Sequence, residues 1–166
     1  MNFAKKSTIR FLITYILLMS FFLVIIGWKP IKNIFDLNGY FTAFLVSITA
    51  WVFKMFGLFV STHGTIINLK GFSMNVLFGC NGLEAFLIYT VGIISFPAKI
   101  KIKIYGLFFG FVILQIINVL RIIGLGFAGI YMKSSFDFIH IYLAQSIMIV
   151  VAVVIFIIWL NYAVKK

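Results

Sequence analysis

The chain has 166 residues, of which 64% are hydrophobic and 10% are charged, and its mean hydropathy is +1.20. Soluble domains are about half apolar and about a quarter charged, so a water-soluble fold is excluded and the bilayer must solvate most of the chain. The net charge of +11 comes from lysines that flank apolar stretches. We interpret them as topology signals and expect no nucleic-acid partner.

Five apolar stretches follow along the chain, and most approach the roughly 20 residues that a membrane-spanning helix needs. They are Phe11–Trp28, Phe41–Val60, Leu83–Phe96, Ile104–Ile123 and His140–Leu160. The first has a basic flank but no small-residue cleavage site, so we expect a retained span and not a removed signal peptide. The sequence predicts an all-α integral membrane fold of four to five transmembrane or interfacial helices, as one polytopic domain over residues 1–166.

The second stretch carries a line of small and polar residues at helical spacing. The line consists of Ala43, Ser47, Ala50, Lys54, Gly57 and Ser61. Such a helix can lie in the membrane interface or re-enter it, or it can span while lining a wet cavity. We favour the interfacial or re-entrant interpretation.

The segment Ser61–Phe78 differs from the rest because apolar and polar residues alternate in it around Lys70-Gly71. The apolar members are Ile67, Leu69, Met74 and Val76, and the polar members are Asn68, Ser73 and Asn75. Alternation around a glycine break predicts a short, extracytoplasmic β-hairpin-like segment.

The distribution of basic residues predicts which ends of the helices face the cytoplasm. With a cytoplasmic N-terminus and a second stretch that does not cross, eight basic residues lie inside and four outside. Those inside are Lys5, Lys6, Arg10, Lys99, Lys101, Lys103, Lys165 and Lys166, and those outside are Lys29, Lys32, Lys70 and Lys133. The alternative is five crossings that start from an extracytoplasmic N-terminus, which place seven basic residues inside and five outside. Both arrangements bring Cys80, Arg121 and His140 to the extracytoplasmic face of the cell membrane.

The lone cysteine, Cys80, lies in Phe78-Gly79-Cys80-Asn81-Gly82 at the entrance to the third apolar stretch. The glycines allow tight turns and close approach of a ligand backbone. The N–H groups at a helix N-terminus favour a thiolate and can bind an oxyanion. A nucleophile and a packed cysteine in a turn are the two interpretations. One cysteine excludes an internal disulfide or a cysteine metal cluster, and we expect no metal and no cofactor.

Arg121 lies inside a very apolar stretch, where an arginine is costly and either functional or snorkelling toward the interface. Only two of the fourteen basic residues are arginines, which suggests that planar, multi-donor hydrogen bonding is needed here. Asn118 lies one turn earlier on the same helix face, so the two side chains can act together.

His140 opens the fifth stretch and can take or give a proton near neutral pH, although a structural interface histidine is the alternative. Gln145 follows about one turn later and could face the same cavity. Glu84 is the only acid inside an apolar stretch, and a structural pair with Arg121 competes with a catalytic role. We interpret His63, at a loop boundary, as incidental.

Together, a thiol, a base and a fixed cation at one membrane face meet the needs of cysteine acyl transfer. The pattern Cys80-Asn81-Gly82, then Asn118-x-x-Arg121, then His140 resembles the exosortase/archaeosortase family over about 41–160, and most of all its exosortase H branch. The preceding Gly71-Phe72 and the Phe96-Pro97-Ala98 end of the third stretch fit this resemblance.

The resemblance implies a membrane cysteine protease or transpeptidase. Cys80 would be the nucleophile, Arg121 the oxyanion or substrate stabiliser, and His140 the general acid/base. The implied partners are membrane-anchored proteins with a C-terminal sorting signal: a short motif, one transmembrane helix and a basic cluster. The product would pass from a thioester to an acceptor amine that the sequence does not identify.

Two alternatives belong to other classes of protein. In a non-catalytic transporter or assembly subunit, Arg121, Glu84 and His140 would form an intramembrane polar relay. An enzyme acting on lipid or polyprenyl substrates would usually need an acidic metal cluster, and three well-separated acids argue against it.

Overall fold

The computed structural model describes residues 2–27, 37–77 and 79–165. Several residues of the predictions, namely Trp28, Lys29, Lys32, Phe78 and Lys166, lie outside the described residues. The helices are α1 (Asn2–Gly27), α2 (Leu37–Met55), α3 (Leu83–Ser95), α4 (Ile100–Tyr131) and α5 (Gln145–Val164). A 3-10 turn, Lys133–Ser135, a short helical turn, Phe136–Phe138, and a π-helix, Ile139–Ala144, lead into α5.

Three helical segments of the described ranges are long and apolar enough to cross a membrane. They are Thr8–Ile25 within α1, Ile100–Tyr131, and Lys133–Val164, which ends with α5. Helix α3 is apolar but has only 13 residues. Helix α2 is not among the three, and its interfacial or re-entrant placement stays a prediction. The predicted class, a mostly helical multi-pass membrane protein with a small β segment, is confirmed.

The short helix α3 packs against α1, α4 and α5, and glycines make this close packing possible. A Cβ at Gly110 of α4 would overlap the ring of Tyr89 in α3, and one at Gly106 would overlap Trp159 in α5. The Tyr89 hydroxyl donates to the Gly106 carbonyl at 2.8 Å, and Trp159 Nε1 donates to the Ile102 carbonyl at 3.2 Å. We call this region the Trp159 half.

The β segment is a three-stranded antiparallel sheet in the order β1-β2-β3, with β1 at Val60–His63, β2 at Ile66–Leu69 and β3 at Phe72–Asn75. Its apolar face covers α2 and α4, where the side chains of Phe53, Ile67 and Ile122 are buried together. Gly126 and Gly129 of α4 leave room for Phe53 and Phe72. We call this region, together with the loop that carries Cys80, the Cys80 half.

The β segment was predicted in part. The hairpin around Lys70-Gly71 exists, as β2 and β3. The first strand was missed, because Val60 was assigned to the end of the second apolar stretch. The chain leaves α2 after Met55 and turns at Gly57, whose φ is 74°, before β1 begins.

Helices α2 and α4 show details that the sequence pattern did not predict. The small and polar line on α2 does not share one environment, since Ala50 is buried while Ser47 and Lys54 are exposed. The buried side chains of α2 also include those of Thr42, Val46, Thr49 and Phe53. Helix α4 does not end near Arg121 but continues ten residues further to Tyr131. The sheet packs on both α2 and α4 and shares a buried apolar cluster with them.

Candidate active site

Cys80 lies in a non-helical loop just before α3. Its backbone N–H donates to the Leu77 carbonyl at 2.9 Å, and Gly79 and Gly82 adopt φ values of 91° and 76°. An L side chain rarely adopts such φ values, so the two glycines permit the turn that presents the thiol. The Cys80 side chain is half-buried.

The residues after Cys80 fasten this loop to two helices. Asn81 is fully buried, and its Nδ2 donates to Asn38 Oδ1 at 2.6 Å and to Thr42 Oγ1 at 2.8 Å, both on α2. A Cβ at Gly82 would come 2.9 Å from Asn118 Cγ on α4. The Cys80-Asn81-Gly82 motif is thus a thiol followed by a polar anchor and a close helix contact.

His140 lies beside the thiol, with Nε2 at 3.2 Å from Cys80 Sγ. It belongs to the π-helix, a rare helix type that is frequent at functional sites. Its ring stacks on Phe136 at a centroid distance of 5.5 Å, and Phe136 in turn contacts Phe72 of β3 at 4.8 Å. His140 Nδ1 is buried and has no hydrogen-bond partner among the described residues. The ring is therefore positioned by aromatic stacking.

Arg121 extends from α4 toward the Cys80 loop. Its Nη1 approaches the carbonyls of Gly79 and Cys80 at 3.4 and 3.5 Å and Asn118 Oδ1 at 3.3 Å, and its Nη2 lies 3.8 Å from Cys80 Sγ. These contacts are long for hydrogen bonds, so the guanidinium keeps donor capacity for another acceptor. Within the described ranges, Arg121 Nε and Asn118 Nδ2 are also buried without partners.

Glu84 and Gln145 contact each other beside the loop, where a Cβ at Gly79 would lie 3.4 Å from Glu84 Oε2. Gln145 Nε2 donates to Glu84 Oε2 at 3.4 Å. Helix α3 begins only at Leu83, so helical spacing does not relate Glu84 to Cys80. The alternative pairing of Glu84 with Arg121 is not found among the described residues.

A cavity of about 180 Å³ adjoins the thiol. It is lined by Ser73, Met74, Asn75, Val76, Cys80, Ile122, Leu125, Phe136 and His140. Strand β3 and helix α4 each line part of the cavity, and Cys80 and His140 contribute a thiol and an imidazole.

Three of the predicted site residues, Cys80, Arg121 and His140, come together, with Asn118 behind the guanidinium. Sequence reasoning missed the anchors Asn38 and Thr42. Polar residues in an otherwise apolar helix could have indicated them. It also missed Gln115 of α4, whose side-chain amide is buried and has no partner in the described part of the chain.

A comparison with protein-family models identifies the family of this chain. Residues 3–160 match the transmembrane exosortases (Exosortase_EpsH). Searches of curated proteins and of solved structures found no significant match. The chain therefore belongs to the transmembrane exosortase family, and the predicted resemblance is confirmed.

Proposed function

We propose that this exosortase-family membrane protein is a cysteine-dependent peptidase or transpeptidase. It would cleave the C-terminal sorting signal of exported proteins and transfer them to an acceptor amine. The observation that carries the proposal is the 3.2 Å contact between Cys80 Sγ and His140 Nε2, with the Arg121 guanidinium beside the same sulfur. A nucleophile within hydrogen-bond reach of a base is the signature of covalent catalysis.

In the first step, the Cys80 thiol gives its proton to His140 Nε2, and Sγ attacks the scissile carbonyl. An S–C bond forms, and the carbonyl oxygen becomes an oxyanion. Arg121 donates to this oxyanion, since Nη1 and Nη2 lie next to the sulfur and its loop.

In the second step, the C–N bond breaks, and His140 gives the proton to the leaving amine. The released part carries the signal's transmembrane helix, and the rest of the substrate stays on Cys80 as a thioester. An acceptor amine, or water in the hydrolytic case, then attacks the thioester carbonyl. His140 takes the proton of this nucleophile and returns it to the departing sulfur, so that the C–S bond breaks and Cys80 leaves as the thiol.

A site at the extracytoplasmic face would act on a substrate whose cleavage point lies at the membrane surface. The positive-inside count supports the cytoplasmic (inner) membrane with the site on the extracytoplasmic face. A signal made of a motif, an apolar helix and a basic cluster fits this placement. Its helix would lie in the bilayer beside this protein, and its basic cluster would stay cytoplasmic.

The test is the processing of a panel of exported reporters, each ending in one such C-terminal signal encoded in the source genome. Wild type is compared with Cys80→Ala and with His63→Ala, which changes the other histidine, exposed on β1. All are held at equal membrane levels. We expect wild type and His63→Ala to shorten at least one reporter and Cys80→Ala to shorten none. Normal processing by Cys80→Ala, or no processing of any reporter by wild type, contradicts the proposal.

A further inference from the structure

The free edge of strand β3 borders the cavity that contains the thiol. In the described part of the chain, β3 pairs only with β2, so its other edge has no strand beside it. Ser73 and Asn75 are exposed, and both line the cavity together with Cys80 and His140. An exposed edge strand presents unpaired N–H and C=O groups and is a template for another extended chain.

The strand register identifies which backbone groups point outward. The two-residue turn Lys70-Gly71 joins Leu69 to Phe72, which makes these two a hydrogen-bonded pair, and the pairing then alternates along the strands. The bond from Val76 N to the Thr65 carbonyl, 2.9 Å, continues the alternation.

It follows that Phe72, Met74 and Val76 direct their N–H and C=O groups toward β2. Ser73 and Asn75 direct theirs to the free edge. Their side chains do not block it, since Ser73 Oγ donates to Asn68 Oδ1 at 2.7 Å and Asn75 Oδ1 accepts from Thr65 Oγ1 at 2.8 Å, across the sheet. The edge therefore offers two N–H donors and two carbonyl acceptors.

We propose that the substrate's cleavage motif binds as an extended fourth strand on the Ser73–Asn75 edge of β3, which places its scissile bond at Cys80. This inference rests on the proposed function and names how the substrate is held. The occupant is an extended peptide because the edge recognises main-chain amides, which a lipid chain lacks. The same cavity holds the edge and the thiol, so a peptide paired to β3 reaches Sγ without crossing a protein wall.

The binding mode explains how a short motif could suffice. Main-chain hydrogen bonds give affinity for any extended sequence, and alternate side chains enter pockets that give specificity. Here the cavity walls beside the edge are mostly apolar, with Met74, Val76, Ile122, Leu125 and Phe136. We expect one apolar motif side chain to enter the cavity.

The first arm of the test removes edge donors without changing the thiol. Ser73→Pro and Asn75→Pro each delete one outward N–H, and proline is tolerated at a strand edge. Thr62→Pro is the matched control on the opposite edge, where the same alternation turns the Thr62 N–H away from β2. With a reporter that wild type shortens, we expect about a tenfold loss of rate for each β3 variant, since a hydrogen bond is lost and an acceptor is left unpaired. Thr62→Pro should process normally.

The second arm measures binding without catalysis. Cys80→Ala combined with Asn75→Cys is tested for disulfide cross-linking to reporters that carry one cysteine at successive motif positions. A paired strand predicts one strongest position, weaker cross-links two residues away on either side, and none at the neighbours. A helical contact would give a spacing of three or four.

The outcomes separate the two proposals. Normal processing by both β3 proline variants, or cross-links without a spacing of two, overturns edge pairing while acyl transfer stands. Spaced cross-links in the absence of any wild-type processing would support edge binding and contradict the proposed function. Cross-links between two copies of Asn75→Cys, in place of the reporter, would assign the edge to self-association and overturn the inference.

Discussion

The Trp159 half and the Cys80 half of this membrane protein use polar groups differently. In the Trp159 half, the Tyr89 hydroxyl and the Trp159 indole each donate to a helix carbonyl, and the rings fill space left by glycines. In the Cys80 half, Asn118, Arg121 and His140 each keep a buried nitrogen without a partner among the described residues. Buried polar groups are normally paired. The paired groups of the Trp159 half therefore serve packing, whereas the unpaired nitrogens of the Cys80 half remain able to hydrogen-bond a ligand.

An unpaired group alone does not mark a site. The hydroxyls of Thr90 and Ser95 on α3 are also buried without partners in the described ranges. The Cys80 half differs because two of the side chains with an unpaired nitrogen, Arg121 and His140, also contact the Cys80 sulfur beside a cavity. The comparison therefore predicts that substitutions in one half change catalysis and that substitutions in the other change stability.

The largest effect is expected from His140→Ala. In the proposed mechanism His140 takes the Cys80 proton, and loss of general acid–base catalysis costs roughly 10²- to 10⁴-fold in rate. The rate of reporter shortening, at equal membrane levels, measures the effect. His63→Ala is the control. Equal rates for His140→Ala and wild type would remove His140 from the mechanism.

Arg121→Lys sharpens the comparison because it keeps the charge and loses the planar set of donors. Removing an oxyanion donor costs about 10²-fold or more, and we expect the shortening rate to fall by about that factor. The control is Arg10→Lys, which changes the only other arginine. A rate within twofold of wild type, about 0.4 kcal/mol, would mean that charge alone is sufficient.

Gly82→Ala should affect both properties, because Gly82 lies where the loop meets α4. A Cβ there meets Asn118 Cγ at 2.9 Å and the residue has a φ of 76°, so we expect about 2 kcal/mol lower stability and slower shortening. Gly64→Ala is the control, since its φ is 58° but nothing lies within 4 Å of an added Cβ. Thermal unfolding in detergent and the shortening rate are measured together. Equal losses for both variants would show that backbone strain alone, and not the Asn118 contact, is responsible.

The smallest effect on catalysis is expected in the Trp159 half. Gly110→Ala drives a methyl group into the Tyr89 ring and should cost about 1–3 kcal/mol of stability, with the rate per folded molecule unchanged. Gly124→Ala, on the same helix with nothing within 4 Å of an added Cβ, should be neutral or slightly stabilising. A loss of rate per folded molecule in Gly110→Ala would contradict the claim that substitutions in the Trp159 half change stability and not catalysis.

The sequence predicted those features that depend on local pattern or on residue chemistry. Alternation around Lys70-Gly71 predicted the hairpin, and the rarity of arginine and cysteine in an apolar chain singled out Arg121 and Cys80. It did not predict the pairing of Glu84 with Gln145, because the two residues are 61 positions apart and meet only when α3 and α5 pack together. It could not predict that the edge of β3 borders the thiol, since that depends on how the sheet packs on α4.

The anchoring of the Cys80 loop was also beyond local pattern. Asn38 and Thr42 are about forty residues away from Asn81 in the sequence, and their hydrogen bonds to it exist only once α2 has docked. We had identified the line of small residues on α2 from helical spacing alone, which contains no information about this docking. Long-range polar contacts are thus the part of the site that could not be predicted from a single sequence.

The most direct test of the acyl-transfer mechanism is to trap the intermediate on Cys80. An intact reporter that wild type shortens is incubated with the wild-type protein in detergent without added amine. The reaction is quenched in acid, and the protein is digested and analysed by mass spectrometry. The mechanism predicts a peptide containing Cys80 with the new C-terminus of the reporter attached as a thioester, which neutral hydroxylamine releases. Reporter shortening with Cys80 unmodified and fully alkylatable throughout the reaction would contradict it.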